Sequence, residues 1–207
     1  MKNILLIVDP QNDFISGTLP VEGAEAKMKK LAEYIKAKNT KYDYIFITMD
    51  SHPTNHSSFK NNGGIWPEHC VKYTKGWELP GYLNEAINTA SNCFVEIYYK
   101  GNIVDSEEYS IFDNYEDGVI LTRQIMSICE EGEVYFDVCG IAGDYCVLET
   151  LKGLTGLVGT NYISVLDEFT ASIDGGEKLH IFTTENNINI ITDSTLNLEE
   201  ICTSNQF

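Results

Sequence analysis

The chain has 207 residues, 43% of them hydrophobic and 11% aromatic, enough for one compact α/β-sized domain and too apolar for a disordered segment. Its 14 lysines and arginines stand against 31 aspartates and glutamates, a formal charge of −17. That excess argues against a surface that binds nucleic acid or an anionic membrane and suits a soluble acidic enzyme.

Taken in chain order, Ile4 to Val8 is an uninterrupted β-branched and leucine run, the pattern of a strand buried on both faces. It is too short for a signal h-region or a membrane span, and it ends at a carboxylate, Asp9. Asp9-Pro-Gln-Asn-Asp-Phe14 then reads as a loop. Ala24, Met28, Leu31, Ala32 and Ile35 recur at helical spacing. Tyr44 to Met49 is a second buried strand, and it too runs into an acid, Asp50. The stretch from Ser51 to Gly81 has no period and is rich in Gly, Asn, Pro and His. A loop that long inside a compact domain is usually functional or disordered.

Phe94 to Tyr99 reads as a third strand ending at Lys100, and a polar loop follows through Phe112. A helix is predicted from about Gly118 to Cys129, a strand over Val134 to Gly140, and a helix over Ala142 to Leu154 that begins near Asp144. Tyr162 to Leu166 and Ile188 to Ile191 are the last strands, with a helix around Glu177 to Thr184 between them. No repeat, low-complexity tract or linker interrupts the chain, so residues 1–207 read as a single domain. The alternation predicts a doubly wound, three-layer α/β fold whose central sheet is mostly parallel and has about six strands.

In such sheets the ligand binds beyond the carboxyl ends of the strands. The residues at those ends are Asp9, Asp50, Lys100 and the turn Gly140-Ile-Ala142-Gly143-Asp144-Tyr-Cys146. Singly each has an ordinary explanation: a capping acid, a solvated lysine, a cysteine packed into the core. Together they place a thiol, a carboxylate and a cation on one rim. A thiol at a helix start or beside a cation gains nucleophilicity as its pKa falls, which suits Cys146. Asp9 can take its proton and deliver it to a leaving amine, while Lys100 orients the acid and adds positive charge. Backbone N–H groups at the helix start can receive an oxyanion.

A second constellation is Asp50-Ser51-His52, with His56 and then His69 further on. Residues two apart in an extended segment point the same way, so Asp50 and His52 can face one ion. A carboxylate with imidazoles suits a divalent transition metal, zinc, manganese or iron. Cys70 reads as core, and His180 as a surface or satisfied residue. The six cysteines are dispersed with no CxxC pair, which suits a reducing cytoplasm better than a disulfide framework.

Five motifs occur in one order: Ile-Val-Asp9-Pro-Gln-Asn-Asp13-Phe14, Asp50-Ser-His52-Pro-Thr-Asn-His56-Ser-Ser-Phe59, Trp66-Pro-Glu-His69-Cys-Val, Tyr-Lys100-Gly and Val-Cys-Gly-Ile141-Ala142-Gly-Asp-Tyr-Cys146-Val. As a set they resemble the nicotinamidase/pyrazinamidase branch of the isochorismatase-like cysteine hydrolases. The resemblance implies a catalytic triad of Cys146, Asp9 and Lys100. It also implies an oxyanion hole of the Ala142 and Cys146 amides, with a cis peptide before Ala142. Asp50, His52 and His69 would hold one divalent metal, zinc first and manganese or iron next, that takes the pyridine nitrogen of nicotinamide. Phe14, Trp66 and Tyr109 match positions that wall the ring pocket, and a ligand role for His56 stays open.

The implied reaction turns nicotinamide into nicotinate and ammonia through a thioester, within NAD salvage. The partner is then a small-molecule amide, and a homo-oligomer stays open. Three features depart from the family pattern. Ser51 stands where an aromatic residue is usual, and Gly143 replaces a usual threonine. The acidic 102–117 loop matches only at Tyr109-Ser-Ile-Phe112. The rival readings are a related hydrolase of another small amide, carbamoyl compound or enol-ether, and a catalytically silent binding subunit.

Overall fold

The computed structural model describes residues 1–38, 40–90 and 93–192; Cys202 lies outside them. Six strands form one sheet: β1 (Lys2–Val8), β2 (Tyr44–Asp50), β3 (Phe94–Lys100), β4 (Val134–Ile141), β5 (Ile163–Ala171) and β6 (Asn189–Ile191). Their spatial order is β3-β2-β1-β4-β5-β6, and every neighbouring pair is parallel. The helices are α1 (Asn12–Ile15), α2 (Ala24–Ala37), α3 (Gly81–Thr89), α4 (Asp117–Glu130), α5 (Leu148–Val158) and α6 (Glu177–Glu185).

The alternating side chains of β1 explain its unbroken apolar run. Leu5 and Ile7 face a core shared with Met28, Leu31 and Ile35 of α2 and with Leu83 and Ala86 of α3. Ile4, Leu6 and Val8 face the opposite core, with Leu121 and Ile125 of α4, Leu151 of α5 and Leu179 of α6. Both faces are therefore covered, the doubly wound arrangement the sequence predicts. No helix among the described residues is long and apolar enough to cross a membrane.

The chain winds outward from β1 through β2 to β3, then returns to β4 on the other side of β1. The crevice at that reversal lies past the ends of β1 and β4, the usual ligand position in this topology. The two strands meet closely there: Val8 pairs with Gly140, where an added Cβ would sit 2.0 Å from the Val8 carbonyl oxygen. Only glycine fits, and its φ of +133° is one that side chains disfavour.

Several elements differ from expectation. Helix α3 occupies residues for which no helix is predicted, and a short helix, α1, forms inside the predicted Asp9–Phe14 loop. β5 runs on to Ala171 past Asp167 and Glu168, with a pairing irregularity against β4 between Val138 and Gly140. The helix predicted from Ala142 is two pieces, a π-helical turn over Gly143–Val147 followed by α5. The long 51–81 segment is ordered, tied by bridges between His52 and Val71 and between Phe59 and Trp66.

Candidate active site

Four strand ends deliver the chemistry. Asp9 follows β1 in a left-handed conformation (φ +47°), Asp50 ends β2, Lys100 ends β3, and Cys146 lies in the π turn after β4. The Lys100 ammonium, fully buried, is the hub. Its Nζ lies 2.8 Å from Asp9 Oδ2, donates to Asp50 Oδ1 and to the Glu108 carbonyl (3.1 Å), and sits 3.5 Å from Cys146 Sγ. Thr48 Oγ1 donates to Asp9 Oδ1 at 2.7 Å. The Asp9–Lys100 contact is a buried ion pair, and a carboxylate oxygen with more than one lone pair keeps acceptor capacity toward the thiol.

Burial and the charges of Asp9 and Asp50 push the Cys146 thiol well above its ordinary pKa, against the pull of Lys100. This reverses the lowered pKa that the helix start and nearby cation suggest, chiefly because the sulfur is buried, with the two carboxylates adding to the rise. Burial also raises Asp9, with Lys100 opposing. Lys100 stays charged: burial alone would lower it, but Asp50 and Asp9 raise it well above normal. For Asp50, burial is outweighed by Lys100 and His52, which hold its carboxyl far below the usual range. The resting site is thus a neutral thiol beside a group able to accept its proton.

Asp50 divides its two oxygens. Oδ1 serves Lys100, while Oδ2 lies 3.5 Å from His52 Nε2 and 4.0 Å from His69 Nε2. One ligand atom from each of the three residues falls within 4.8 Å of the others, and all three side chains are buried. Tetrahedral zinc with bonds of about 2.1 Å places its ligands about 3.4 Å apart, so small adjustments suffice. The other imidazole nitrogens are engaged: His52 Nδ1 meets the Gly101 carbonyl and His69 Nδ1 the Pro67 carbonyl, each at 2.8 Å. That fixes the tautomers and leaves each Nε2 a lone pair, and His52 Nε2 is buried with no hydrogen-bond partner. The residues fit a divalent ion.

His56 stands beside this cluster. Its ring lies 4.2 Å from that of His52, but Nδ1 contacts Ser58 Oγ (2.7 Å) and Nε2 the Ser106 carbonyl (3.0 Å). It therefore supports the cluster and does not present a free ligand atom. Cys70 is buried in the core, and His180 pairs with Asp167 at the surface.

Cys146, Asp50 and His69 open onto one cleft. Phe14, Trp66 and Tyr109 line it, and Trp66 Nε1 donates to the Tyr109 hydroxyl at 3.0 Å. Sequence reasoning missed Tyr145, Ile173 and Glu107. Tyr145 sets its ring at 84° to Trp66, 5.2 Å away. Ile173 is fastened by Asp144, whose carboxylate accepts the amides of Ile173 (2.8 Å) and Asp174 (3.2 Å). The Cys146 motif carried that signal, since Asp144 and Tyr145 stand immediately before the cysteine.

The departures from the family pattern have local explanations. Ser51 is buried and accepts the Trp77 indole N–H at 3.1 Å, and Trp77 stacks on Tyr99. An aromatic ring from the loop thus packs beside the position where the neighbouring residue is usually aromatic. At Gly143 an added Cβ would lie 2.1 Å from Ser172 Oγ, so the hydroxyl fills that space. The peptide between Ile141 and Ala142 is cis, as the resemblance implies.

The fold and this rim define an isochorismatase-like hydrolase. No protein-family model matches the sequence. The nicotinamidase of Acinetobacter baylyi is 32% identical over 193 residues, covering 85% of each chain. Among solved structures, pyrazinamidase of Pyrococcus horikoshii in complex with zinc superposes with a TM-score of 0.75 at 28% identity, over 93% of this chain and 99% of that one. The L. infantum protein PnC1 in complex with nicotinate gives 0.77 at 27%, covering 94% of each. The chain belongs to the nicotinamidase family.

Proposed function

We propose that residues 1–207 form one hydrolase domain that converts nicotinamide to nicotinate and ammonia, in the cytoplasm and within NAD salvage. The observation that carries this reading is the convergence of Asp9, Lys100 and Cys146, joined through the Lys100–Asp50 contact to Asp50, His52 and His69, beside one cleft lined by aromatic rings. The nicotinate-bound relative supports the ligand class.

Asp9 removes the Cys146 proton as the sulfur attacks the carboxamide carbon; Asp9 becomes neutral, and Lys100, 3.5 Å from Sγ, stabilises the negative charge that passes to the sulfur. The carbonyl oxygen, now anionic, is received by the Ala142 and Cys146 amides. Protonated Asp9 returns its proton to the leaving nitrogen, so ammonia departs and a thioester remains. Water then attacks the thioester carbon, giving its proton to Asp9 and thence to sulfur, and the carboxylic acid leaves. Phe14, Trp66 and Tyr109 hold the ring. A divalent ion on Asp50, His52 and His69, zinc first, supplies a Lewis acid for the pyridine nitrogen when bound.

The test is ammonia release across nicotinamide, pyrazinamide and several small amides. Nicotinamide and pyrazinamide are expected to turn over, and Cys146→Ala to abolish release while leaving ring binding intact. Turnover by the alanine variant would overturn the nucleophile assignment. A preference for aliphatic or carbamoyl amides would overturn the substrate.

A further inference from the structure

Glu108 comes from the acidic 102–117 loop, yet it is only 1% exposed. Its Oε2 accepts two N–H groups, the Gly101 amide at 2.7 Å and Asn114 Nδ2 at 2.9 Å, while its Oε1 is buried with no hydrogen-bond partner. A buried carboxylate with one orphaned oxygen is costly, and such groups call for an explanation beyond packing.

The explanation lies across Gly101. The Gly101 carbonyl takes His52 Nδ1 at 2.8 Å, so one glycine is held by a carboxylate on its N–H and by a cluster histidine on its C=O. Gly101 has φ of +67°, and an added Cβ would lie 2.4 Å from His52 Cε1, so the main chain is pressed directly onto the imidazole. The Glu108 main-chain carbonyl meanwhile receives Lys100 Nζ at 3.1 Å. A carboxylate behind a metal-facing histidine raises the ligand's basicity and fixes its ring. Here the Gly101 N–H and C=O belong to different peptide units, so Glu108 acts on the ring by holding Gly101 in place and not by polarising it.

We propose that Glu108 is a positioning residue that sets the metal affinity of the Asp50–His52–His69 cluster by holding Gly101 against His52. This rests on the reading that the cluster binds a divalent ion.

The experiment is zinc binding to the full chain by competition with a chromophoric chelator, for wild type, Glu108→Gln, Glu108→Ala and Asp137→Ala. Asp137 lies outside the site, hydrogen-bonded to Tyr42, and its variant controls for lost stability. Wild type is expected to bind one zinc. Glu108→Ala should weaken the dissociation constant about 10–100-fold, the usual effect of losing such an outer partner. Glu108→Gln keeps an acceptor for the Gly101 amide and should fall between the two, which covers the case where the alanine variant does not fold. Asp137→Ala should bind as wild type even where its melting temperature drops. Unchanged zinc affinity in Glu108→Gln and in any folded Glu108→Ala overturns the proposal, as does an equal loss in Asp137→Ala. A wild type that binds no zinc overturns instead the metal reading beneath it.

Discussion

Replacing Lys100 by methionine removes the ammonium that Asp9 and Asp50 share, with all three side chains buried (0%, 0% and 6% exposed). At 2.8 Å from Asp9 and an effective dielectric of about 20, that one attraction amounts to about 6 kcal/mol. Removing the ammonium also removes the cost of having buried it, so the net loss is the one seen on breaking a buried pair, about 3–5 kcal/mol. Against a total stability of about 5–15 kcal/mol the variant folds marginally. The loss must also depend on pH. Without Lys100 the Asp9 carboxyl, already raised by burial, moves further above its unfolded value. A carboxyl whose folded pKa is raised imposes no penalty below its unfolded pKa and the full penalty above its folded one. The deficit relative to wild type should therefore shrink from pH 7 to pH 5. Urea unfolding of chelator-treated proteins reads this directly: with a slope near 2 kcal/mol per molar, the midpoint drops by roughly 2 M at pH 7 and by less at pH 5. A wild-type midpoint at pH 7, or a deficit equal at both pH values, would refute the hub role of Lys100.

Glu107→Gln removes a cleft-lining carboxylate and should tighten product inhibition by nicotinate about fivefold, the effect of one screened charge pair of about 1 kcal/mol, with the KM for nicotinamide nearly unchanged. Equal changes in both constants would sink the charge argument. Gly143→Ala places a Cβ against Ser172 Oγ and should cost about 1–3 kcal/mol, with most of the lost melting temperature recovered by adding Ser172→Gly. If the second change recovers nothing, the clash is not the cause. Asp137 accepts Tyr42 at 2.6 Å and pairs with Lys41 at 2.9 Å; burial and Asp137 raise Tyr42, and Asp137 raises Lys41 despite burial. Both contributions are full below the unfolded values near 10 and are lost above them, at up to about 1.4 kcal/mol per pH unit per group. Stability should therefore fall between pH 9 and 11, and less steeply in Tyr42→Phe; parallel profiles for the two proteins would contradict this.

The sheet was legible because its central strand β1 is buried on both faces and carries an unbroken apolar run, Ile4 to Val8. The rim followed from topology, since parallel strands put their carboxyl ends on one side. What escaped was structure made by tertiary contact. Helix α3 holds Gly81, Asn84, Asn88 and Thr89 in nine residues, a poor helix former by composition. It forms because Leu83, Ala86 and Ile87 fall at i, i+3 and i+4 and bury against the α2 core, a spacing visible once Pro80 is taken as a start signal rather than a loop signal. β5 was cut short at Asp167 because a hydropathy run ends there, though the backbone pairing does not.

The site was legible in its residues but not in its electrostatics. A cation and a helix start near Cys146 suggest a depressed thiol pKa, yet burial, helped by the carboxylates on the same rim, raises it, and the depth of that burial is set by the tertiary fold rather than by sequence order. The same applies to the charge of −17. Asp105 and Glu116 in the acidic loop are exposed, whereas Glu108 of that loop is buried behind Gly101 and Glu107 lines the cleft. A net charge cannot distinguish these three uses of one residue type. Only one of them, Glu107, bears on which ligand enters, and its sign favours a neutral amide over the carboxylate the reaction leaves behind.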